Sequence, residues 1–491
     1  MRPFLKRLLT ARSTASPFWL PCLVIASVVP VLAFLALMVP PNEVPDEVAH
    51  ILRADSVRHG EIAGFRRPRL DDQGDPAVDV AVRADLGLLA AGIAFTPGTP
   101  LSDKRLTQVR REEMEHAPWI GTLEAVSVPN TAVYPPLLYI PAALGLQLAA
   151  WLGGGPYRAI LTARLANAVL YALLGVAAIR LARRGQGILF AVLCLPMSLW
   201  LAASVNHDGL VIACAALSGA LLTRPGWRGW WGGTVLLAVA AMAKPFLLPL
   251  ALIVPAAVPG GVRRHAGWAA AGFAVAAGPA LAWDAAMALY VAAPFVRGPA
   301  QPAGPLWSGP PGTLFPTTNP GAQAHILLAA PARLVTLPLD SAWANGRWLW
   351  REAIGVLGTL DVFLPASLYA AWGWALAGAA LAGFVAGRGG QEKVPLLPAA
   401  AAVIGAVASA WLTFIVQYVS WTSVGNALVE GVQGRYLLPI AALALPVATL
   451  PVLRLPGGRG LRAALAAPAV MLALAGIAIL LLVVVRTYYI R

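Results

Sequence analysis

Residues 40–50, PPNEVPDEVAH, place three carboxylates and one imidazole within eight residues, directly after a long apolar run. We expect a helix with Pro45 at its first position, where no N–H donor is needed. Asp46 and Glu47 would then lie in the first turn, and Asp46 and His50 would share one face. A carboxylate beside an imidazole at a lipid surface suits abstraction of a proton from an acceptor hydroxyl. The ordinary alternative is helix capping, and we interpret Glu43, which precedes the helix, as a surface residue.

Other polar groups interrupt apolar sequence at isolated positions. They are Tyr134 in NTAVYPPLLYIP, Asp208 in SVNHDGL, Lys244 in AMAKPFLLPL, and Gln433 and Arg435 in EGVQGRYLLP. Ionisable residues within membrane segments are costly and often mark functional sites. Two cations suit a phosphate group, which they can bind and stabilise as it departs. Each residue also has a plain structural interpretation: an aromatic belt, a helix start, a snorkelling lysine or a headgroup anchor.

The composition indicates a membrane protein that crosses the bilayer many times. The chain has 491 residues, of which 59% are hydrophobic and only 12% are charged. Apolar runs of about 18 residues or more recur along it, and each can cross a bilayer as a helix. The formal charge of +14 comes mostly from Lys and Arg in short patches between these runs. This pattern is typical of cytoplasmic loops, so we expect membrane lipids and no nucleic acid as partners.

We predict an all-α polytopic integral membrane protein with about eleven transmembrane helices. The first span, residues 18–39, follows a basic N-terminus that we place in the cytoplasm. Residues 134–152 are expected to lie along the outer surface, because a crossing there would put Arg180, Arg183 and Arg184 outside. The other predicted spans are residues 158–182, 188–204, 210–222, 230–259 (two short helices interrupted at Lys244), 268–291, 364–385, 395–419, 436–453 and 463–485.

The whole chain, residues 1–491, is predicted to form one membrane domain with two large outer loops. Residues 40–152 hold most of the acidic residues and juxtamembrane helices, and are long enough for a small folded subdomain. Residues 292–362 begin with a Pro/Gly-rich stretch, residues 294–321, that we expect to be neither regular helix nor strand. A further surface helix is expected at residues 324–339. On this topology the polar groups described above all face outward.

The motifs PDEVAH, NTAVYPPLLYIPAALG, SVNHD, AMAKPFLLPL, IGVLGTLDVFLP and GVQGRYLLP occur in this order between about residues 40 and 439. They resemble a bacterial domain-of-unknown-function family of polytopic membrane proteins, which is similar to the GT-C superfamily of integral membrane glycosyltransferases. The resemblance implies a catalytic acid at Asp46 or Glu47, and sugar donors on polyprenyl phosphate carriers. It also implies that Lys244 and Arg435 contact the carrier phosphate. Some relatives need a divalent metal such as Mg²⁺ or Mn²⁺, but this sequence has no clear ligand set.

We therefore expect a GT-C-like glycosyltransferase of the bacterial inner membrane. It would transfer a sugar from polyprenyl phosphate to an envelope glycan, lipid or protein on the outer face. Asp46 is the first candidate for the base and Glu47 the second, while Lys244 and Arg435 would hold the phosphate. The residues expected to line the site are His50, Tyr134, Asp208 and Gln433. A transporter or flippase for lipid-linked saccharides is the main alternative, although no two related halves are visible. A non-catalytic scaffold is the third.

Overall fold

The protein is an all-α polytopic membrane protein, and its described residues also form three small sheets. A computed structural model describes residues 19–70, 76–96, 98–385, 396–450 and 458–490. Its helices are α1 Trp19–Met38, α2 Glu47–Arg58, α3 Leu86–Gly92, α4 Gln108–Glu115, α5 Ile140–Trp151, α6 Pro156–Leu181, α7 Gln186–Leu193, α8 Pro196–Ala202, α9 Asp208–Leu222, α10 Trp227–Ala243, α11 Ile253–Ala256, α12 Ala266–Tyr290, α13 Pro320–Ala329, α14 Arg333–Gly355, α15 Ala366–Phe384, α16 Leu396–Ser420, α17 Leu437–Ala448 and α18 Gly458–Tyr488. Short 3₁₀ helices lie at Leu101–Asp103, Pro136–Tyr139, Pro245–Leu252 and Gly434–Tyr436.

Five helices in the described ranges are long and apolar enough to cross a membrane. They are α6, α12, α15, α16 and the Gly460–Tyr488 part of α18. Each coincides with a predicted span, so these five predictions agree with the structure. Helices α13 and α14 together would make a sixth, but the chain bends by 109° between them. The predicted count of about eleven is therefore higher than the number of helices that can span alone.

Part of the difference arises where proline interrupts the helices. Residues 188–204, predicted as one span, form α7 and α8, and Pro196 begins the second of them. The helix α10 ends at Ala243, and a 3₁₀ helix begins at Pro245. The predicted break at Lys244 is therefore confirmed. Proline lacks the N–H that continues a helix and disfavours the helical conformation in the residue before it.

The predicted first outer loop, residues 40–152, contains a sheet that was not expected from the sequence. Strands β1 Phe65–Leu70, β2 Pro76–Asp85 and β3 Leu123–Ser127 form an antiparallel sheet in the order β1-β2-β3. Val80 and Val82 of β2 are buried in one apolar cluster with Leu52 of α2. Strand β1 has the sequence FRRPRL, which is rich in arginine, so it does not show the alternation of apolar and polar residues that indicates a strand. The sheet therefore packs against α2, the helix that follows the candidate base Asp46.

The helix α5 has 12 residues and is too short to cross a bilayer. It packs closely on α6 at Gly145, where a Cβ atom would lie 2.6 Å from the Cα atom of Ala163. Leu144, Leu148 and Trp151 are exposed on its other side. The length and the exposed apolar stripe agree with a helix lying on a membrane surface, while its side of the membrane stays a prediction.

The segment predicted as the second outer loop, residues 292–362, is more regular than expected. Strands β4 Val296–Pro302 and β5 Leu314–Thr317 form a hairpin within residues 294–321, so the expectation of no strand there is wrong. Proline is compatible with such a two-stranded ribbon because its missing N–H can face outward from an edge. The predicted surface helix at residues 324–339 is also replaced by the bent pair α13 and α14. A second, very short hairpin joins β6 Val356–Leu357 to β7 Val362–Phe363.

Candidate functional site

Asp46 occupies the N-cap position of α2, in place of the predicted helix start at Pro45. Its backbone is left-handed, with φ 61° and ψ 10°, and its side chain makes no capping hydrogen bond. Aspartate adopts this conformation more readily than most residues, at a cost of about 1 kcal/mol. The turn directs the carboxylate away from the helix. It accepts hydrogen bonds from Nη2 of Arg435 at 2.6 Å and from Nδ2 of Asn130 at 3.4 Å.

Asp208 and Lys244 enter the site from two other segments. Asp208 is the first residue of α9, and its backbone N–H donates to Oδ1 of Asn206. The amide of Asn206 in turn donates to the Pro45 carbonyl, which ties the start of α9 to the start of α2. Lys244 is extended, with φ −138° and ψ 92°, as expected for a residue before proline. Its ammonium lies 2.8 Å from Oδ1 of Asp208.

Arg435 is held by the close packing of Gly434 against α14. A Cβ atom at Gly434 would overlap the Leu349 carbonyl oxygen and the Ala353 nitrogen. The N–H of Gly434 also donates to Oε2 of Glu352 at 2.7 Å. The QGRY motif thus needs glycine for a close backbone approach, and the next residue carries the guanidinium.

These four side chains form an alternating line of charges: Asp46, Arg435, Asp208, Lys244. Nε of Arg435 lies 3.6 Å from Oδ2 of Asp208 and completes the line. Only 2% of the Arg435 side chain is exposed, with 8–9% for Asp208 and Lys244, whereas 42% of Asp46 is exposed. Nη1 and Nε of Arg435 donate no hydrogen bond to any residue in the described ranges. The site therefore offers a buried guanidinium with unused donors, Arg435, a second buried cation, Lys244, and one open carboxylate, Asp46.

Burial and the charges of the line shift the pKa values of Asp46 and of the neighbouring His50. Burial alone would raise the pKa of Asp46, but the guanidinium of Arg435 lowers it below its usual value. Burial lowers the pKa of His50 to about 4, against the opposing effect of Asp208 and Asp46. Asp46 is thus ionised and His50 neutral near pH 7.

Tyrosine rings cover the cations. Nζ of Lys244 lies 4.9 Å from the ring centroid of Tyr134 and 5.3 Å from that of Tyr436, and donates to the Tyr134 hydroxyl at 3.4 Å. Arg435 lies 5.5 Å from the Tyr436 ring. Arg53, which is fully buried, donates to the backbone carbonyl of Tyr134 at 3.0 Å and so fixes the segment that carries this ring. The aromatic faces stabilise the two cations where water is scarce.

The structure adds Tyr139, His207 and Tyr436 to the predicted residues. Tyr139 bridges His50 and His207 through its hydroxyl, at 2.7 and 2.9 Å. Tyr139 and His207 belong to motifs singled out in the sequence, NTAVYPPLLYIP and SVNHDGL, and Tyr436 completes QGRY. Their roles were missed because only the folded chain shows which side chains they meet.

Glu47 is not brought into this site. Its side chain is fully buried and pairs with Arg164, with distances of 2.7 Å to Nε and 2.6 Å to Nη2. It also accepts the backbone N–H groups of Val205 and Asn42. Each carboxylate oxygen of Glu47 therefore already accepts two hydrogen bonds. Through Arg164, Glu47 links the first loop to α6.

Gln433 lies at the edge of the site, just before the turn that carries Arg435. Its Oε1 is buried, and in the described ranges no donor bonds to it. No hydrogen bond joins its side chain to the charged line within the same ranges. A substrate-binding role for Gln433 stays a prediction.

The interpretation of Glu43 as a surface residue is wrong. Glu43 is 3% exposed and lies 2.9 Å from both Nζ of Lys104 and the hydroxyl of Tyr488. Lys104 also pairs with Asp361 in the loop between β6 and β7. Burial raises the pKa of Glu43, while Lys104 opposes the rise. No local sequence pattern indicates that a tyrosine of α18 and a lysine of the first loop cover this carboxylate.

The residues present do not fit a divalent metal. Among the described side chains, no group of three or more His, Cys, Asp or Glu is arranged to hold a metal ion. Mg²⁺ and Mn²⁺ prefer several oxygen ligands. Here the two carboxylates of the charged line are already paired with Arg435 and Lys244. The described side chains therefore do not form a divalent-metal site of the kind that some relatives need.

Comparison with known proteins identifies the family of the chain and no further relative. A family model described as "Predicted membrane protein (DUF2142)" matches residues 30–444. No curated protein and no solved structure matches the chain. The matched range contains the four residues of the charged line and the two tyrosines, Tyr134 and Tyr436, whose rings lie against its cations. Because it also spans most of the sequence, the protein belongs to the DUF2142 family of predicted membrane proteins.

Proposed function

We propose that the protein is a GT-C-like glycosyltransferase of the bacterial inner membrane. It transfers a sugar from a polyprenyl phosphate carrier to an envelope acceptor on the outer face. The observation that carries the proposal is the charged line, in which an open carboxylate, Asp46, lies beside the buried cations Arg435 and Lys244. The cations suit the carrier phosphate and the carboxylate suits an acceptor hydroxyl.

The unused N–H groups of Arg435 support a phosphate-binding role for this residue. A buried guanidinium N–H without an acceptor is costly, and a phosphate oxygen would satisfy it through a strong charge-assisted bond. Lys244 adds a second positive charge on the far side of Asp208. As the bond between the sugar and the phosphate oxygen breaks, negative charge grows on the phosphate, and both cations stabilise it.

Donor binding would also activate the base. In the structure Arg435 holds Asp46 as an ion pair, which lowers the pKa of the carboxyl and makes it a poor base. A phosphate that competes for Arg435 weakens this pair and raises the proton affinity of Asp46. The acceptor oxygen then attacks the anomeric carbon and forms the glycosidic bond. Asp46 takes the hydroxyl proton, and the carrier phosphate leaves with the electrons of the broken bond.

The test is turnover by purified protein with a panel of polyprenyl-phosphate sugars, measured as release of the carrier phosphate. Asp46→Asn should lower kcat by about 10²- to 10⁴-fold, the range for loss of a general base. The matched control is Asp103→Asn, which changes an exposed aspartate of the same outer loop. Full activity of Asp46→Asn would refute the role of Asp46. Substrate flux into liposomes without turnover would favour the flippase, and neither activity would favour a scaffold.

Membrane orientation is tested separately, by labelling single cysteines with a membrane-impermeant maleimide. Ser102 of the first outer loop and Arg224, after α9, are both exposed. In a background where the exposed Cys22 is changed to Ser, Ser102→Cys should react in intact spheroplasts. Arg224→Cys should react only after lysis. The reverse pattern would place the charged line on the cytoplasmic side and reject the proposed topology.

A further inference from the structure

The hydroxyl of Tyr139 lies between two imidazoles that the proposed reaction has not used. It is 2.7 Å from Nδ1 of His50 and 2.9 Å from Nδ1 of His207. All three side chains are 1–3% exposed. The two imidazoles meet edge to face, with their centroids 4.9 Å apart. Such a buried arrangement has few ways to place its hydrogens.

Hydrogen counting restricts the tautomers. A phenol has one hydrogen to donate, and a neutral imidazole carries one N–H. The Tyr139 hydroxyl can donate to one Nδ1 only, so it accepts from the other. One histidine then carries its hydrogen on Nδ1 and the other on Nε2. The low pKa of His50, about 4, agrees with a neutral ring.

We propose that Tyr139 is a positioning residue that holds His50 and His207 in opposite tautomers and passes a proton between them. The inference rests on the proposed glycosyl transfer. The first end of this path is His50, which lies one helical turn after Asp46 and whose backbone N–H donates to the Asp46 carbonyl at 3.1 Å. The other end is Nε2 of His207, which lies 3.5 Å from Oδ1 of Asp208, the oxygen that Lys244 contacts.

The proton transfer balances without any oxidant or added reagent. After glycosyl transfer Asp46 is a carboxylic acid, and its proton passes to Nε2 of His50. The Nδ1 hydrogen of His50 passes to the Tyr139 oxygen, and the phenolic hydrogen passes to Nδ1 of His207. Nε2 of His207 releases its hydrogen to the departing phosphate. Asp46 becomes a carboxylate again, and the phosphate dianion becomes a monoanion. The starting tautomers are restored when Nε2 of His50 loses its hydrogen, the transfers through Tyr139 run in reverse, and Nε2 of His207 regains a proton by way of the position that the phosphate has vacated.

Other charges face the two rings and belong in any interpretation of pH dependence. His50 is surrounded by Asp46 on its own helix, Asp208 of α9, Lys244 after α10, and Arg435 from the QGRY turn. His207 meets the same cations and Asp208. His50 thus has two carboxylates and two cations around it, whereas His207 has two cations and one carboxylate.

The first test reads the tautomers directly and needs no activity. Nitrogen-15 NMR of histidine-labelled protein in bilayers distinguishes protonated from bare ring nitrogens, and the chain has only six histidines. We expect one buried ring with Nδ1–H, and its loss in Tyr139→Phe. Tyr171→Phe is the matched control, because Tyr171 is equally buried and its hydroxyl donates to the Leu193 carbonyl. Two buried rings with the same tautomer in the wild type would overturn the proposal.

The second test measures turnover. Tyr139→Phe should lower kcat by about ten- to a hundredfold, a modest part of the usual general acid–base effect, with KM within about twofold. The kcat measured in H₂O/D₂O mixtures should change from a curved dependence, which indicates several moving protons, to a linear one. Equal behaviour of Tyr139→Phe and Tyr171→Phe would refute the relay. If the wild type turns over no donor, the glycosyl transfer and the relay fall together, while opposite tautomers in the NMR spectra would still stand.

Discussion

Replacing Glu47 by glutamine should destabilise the fold, although this carboxylate lies next to the candidate base. Glu47 accepts two bonds from Arg164, at 2.7 and 2.6 Å, and two from backbone N–H groups. Neither Glu47 nor Arg164 is exposed. Breaking a buried ion pair on one side typically costs 3–5 kcal/mol, because the remaining charge is buried without compensation.

The remaining contacts of Arg164 place the expected cost at the lower end of that range. Its Nη1 still donates to the carbonyls of Ala36 and Val39, and its Nη2 to that of Pro40. A glutamine amide would keep one acceptor oxygen but would point N–H groups toward the guanidinium. We therefore expect a loss of about 3 kcal/mol, or roughly a hundredfold in the folding equilibrium.

Thermal unfolding in detergent can be followed by a thiol-reactive dye, because Cys194 and Cys214 are buried and become reactive as the helices separate. Glu113→Gln is the matched control: its partner Arg110 is on the surface, so the expected loss is below about 1 kcal/mol. The double variant Glu47→Gln, Arg164→Met removes both charges and should be more stable than Glu47→Gln alone. Wild-type stability of Glu47→Gln together with lost turnover would refute this reasoning and make Glu47 the base.

Three further predictions follow from the buried groups. His50 has a pKa of about 4 in the folded protein and about 6.5 in the unfolded chain, so the unfolded chain binds more protons between these two pH values. The free energy of unfolding should therefore fall by about 3 kcal/mol as the pH decreases from 7 to 4. The measurement compares the pH dependence of unfolding in the wild type and in His50→Gln. Gly434→Ala should displace Arg435 and lower phosphate-donor affinity, measured as a raised KM, whereas Gly278→Ala, in open space, should not. Lys104→Met leaves Glu43 buried without its cation and should cost about 3 kcal/mol in a denaturation assay, with Lys104→Arg retaining most of the stability.

Long apolar runs could be predicted from the sequence because their length and hydropathy are local properties. The helices α6, α12, α15, α16 and α18 all coincide with predicted spans. The short helices could not be counted correctly, because proline breaks and close packing decide where each one ends. The β4–β5 hairpin was missed for a related reason: a Pro/Gly-rich composition is typical of loops, but backbone pairing depends on which strands meet.

The polar residues of the site could be predicted because each is unusual where it stands. Asp208, Lys244 and Arg435 are ionisable groups next to apolar helices, and the structure brings all three together with Asp46. Their partners could not be predicted in the same way. Tyr139 looks like one more aromatic residue of a surface helix, and only its two imidazole contacts give it a distinct chemistry.

Asp46 and Glu47 show why neighbouring residues of one chemical type need the folded chain to separate their roles. Asp46 is the left-handed N-cap of α2 and Glu47 is its first helical residue, so the two adjacent carboxylates face different surroundings. The left-handed turn at Asp46 sends its side chain to Arg435, which is 389 residues away in sequence, at an open surface. Glu47 points to Arg164, 117 residues away, in a closed interior. The sequence shows two acidic residues at a helix start. It is the distant cation and the access to solvent that decide which of them can receive a proton from a substrate.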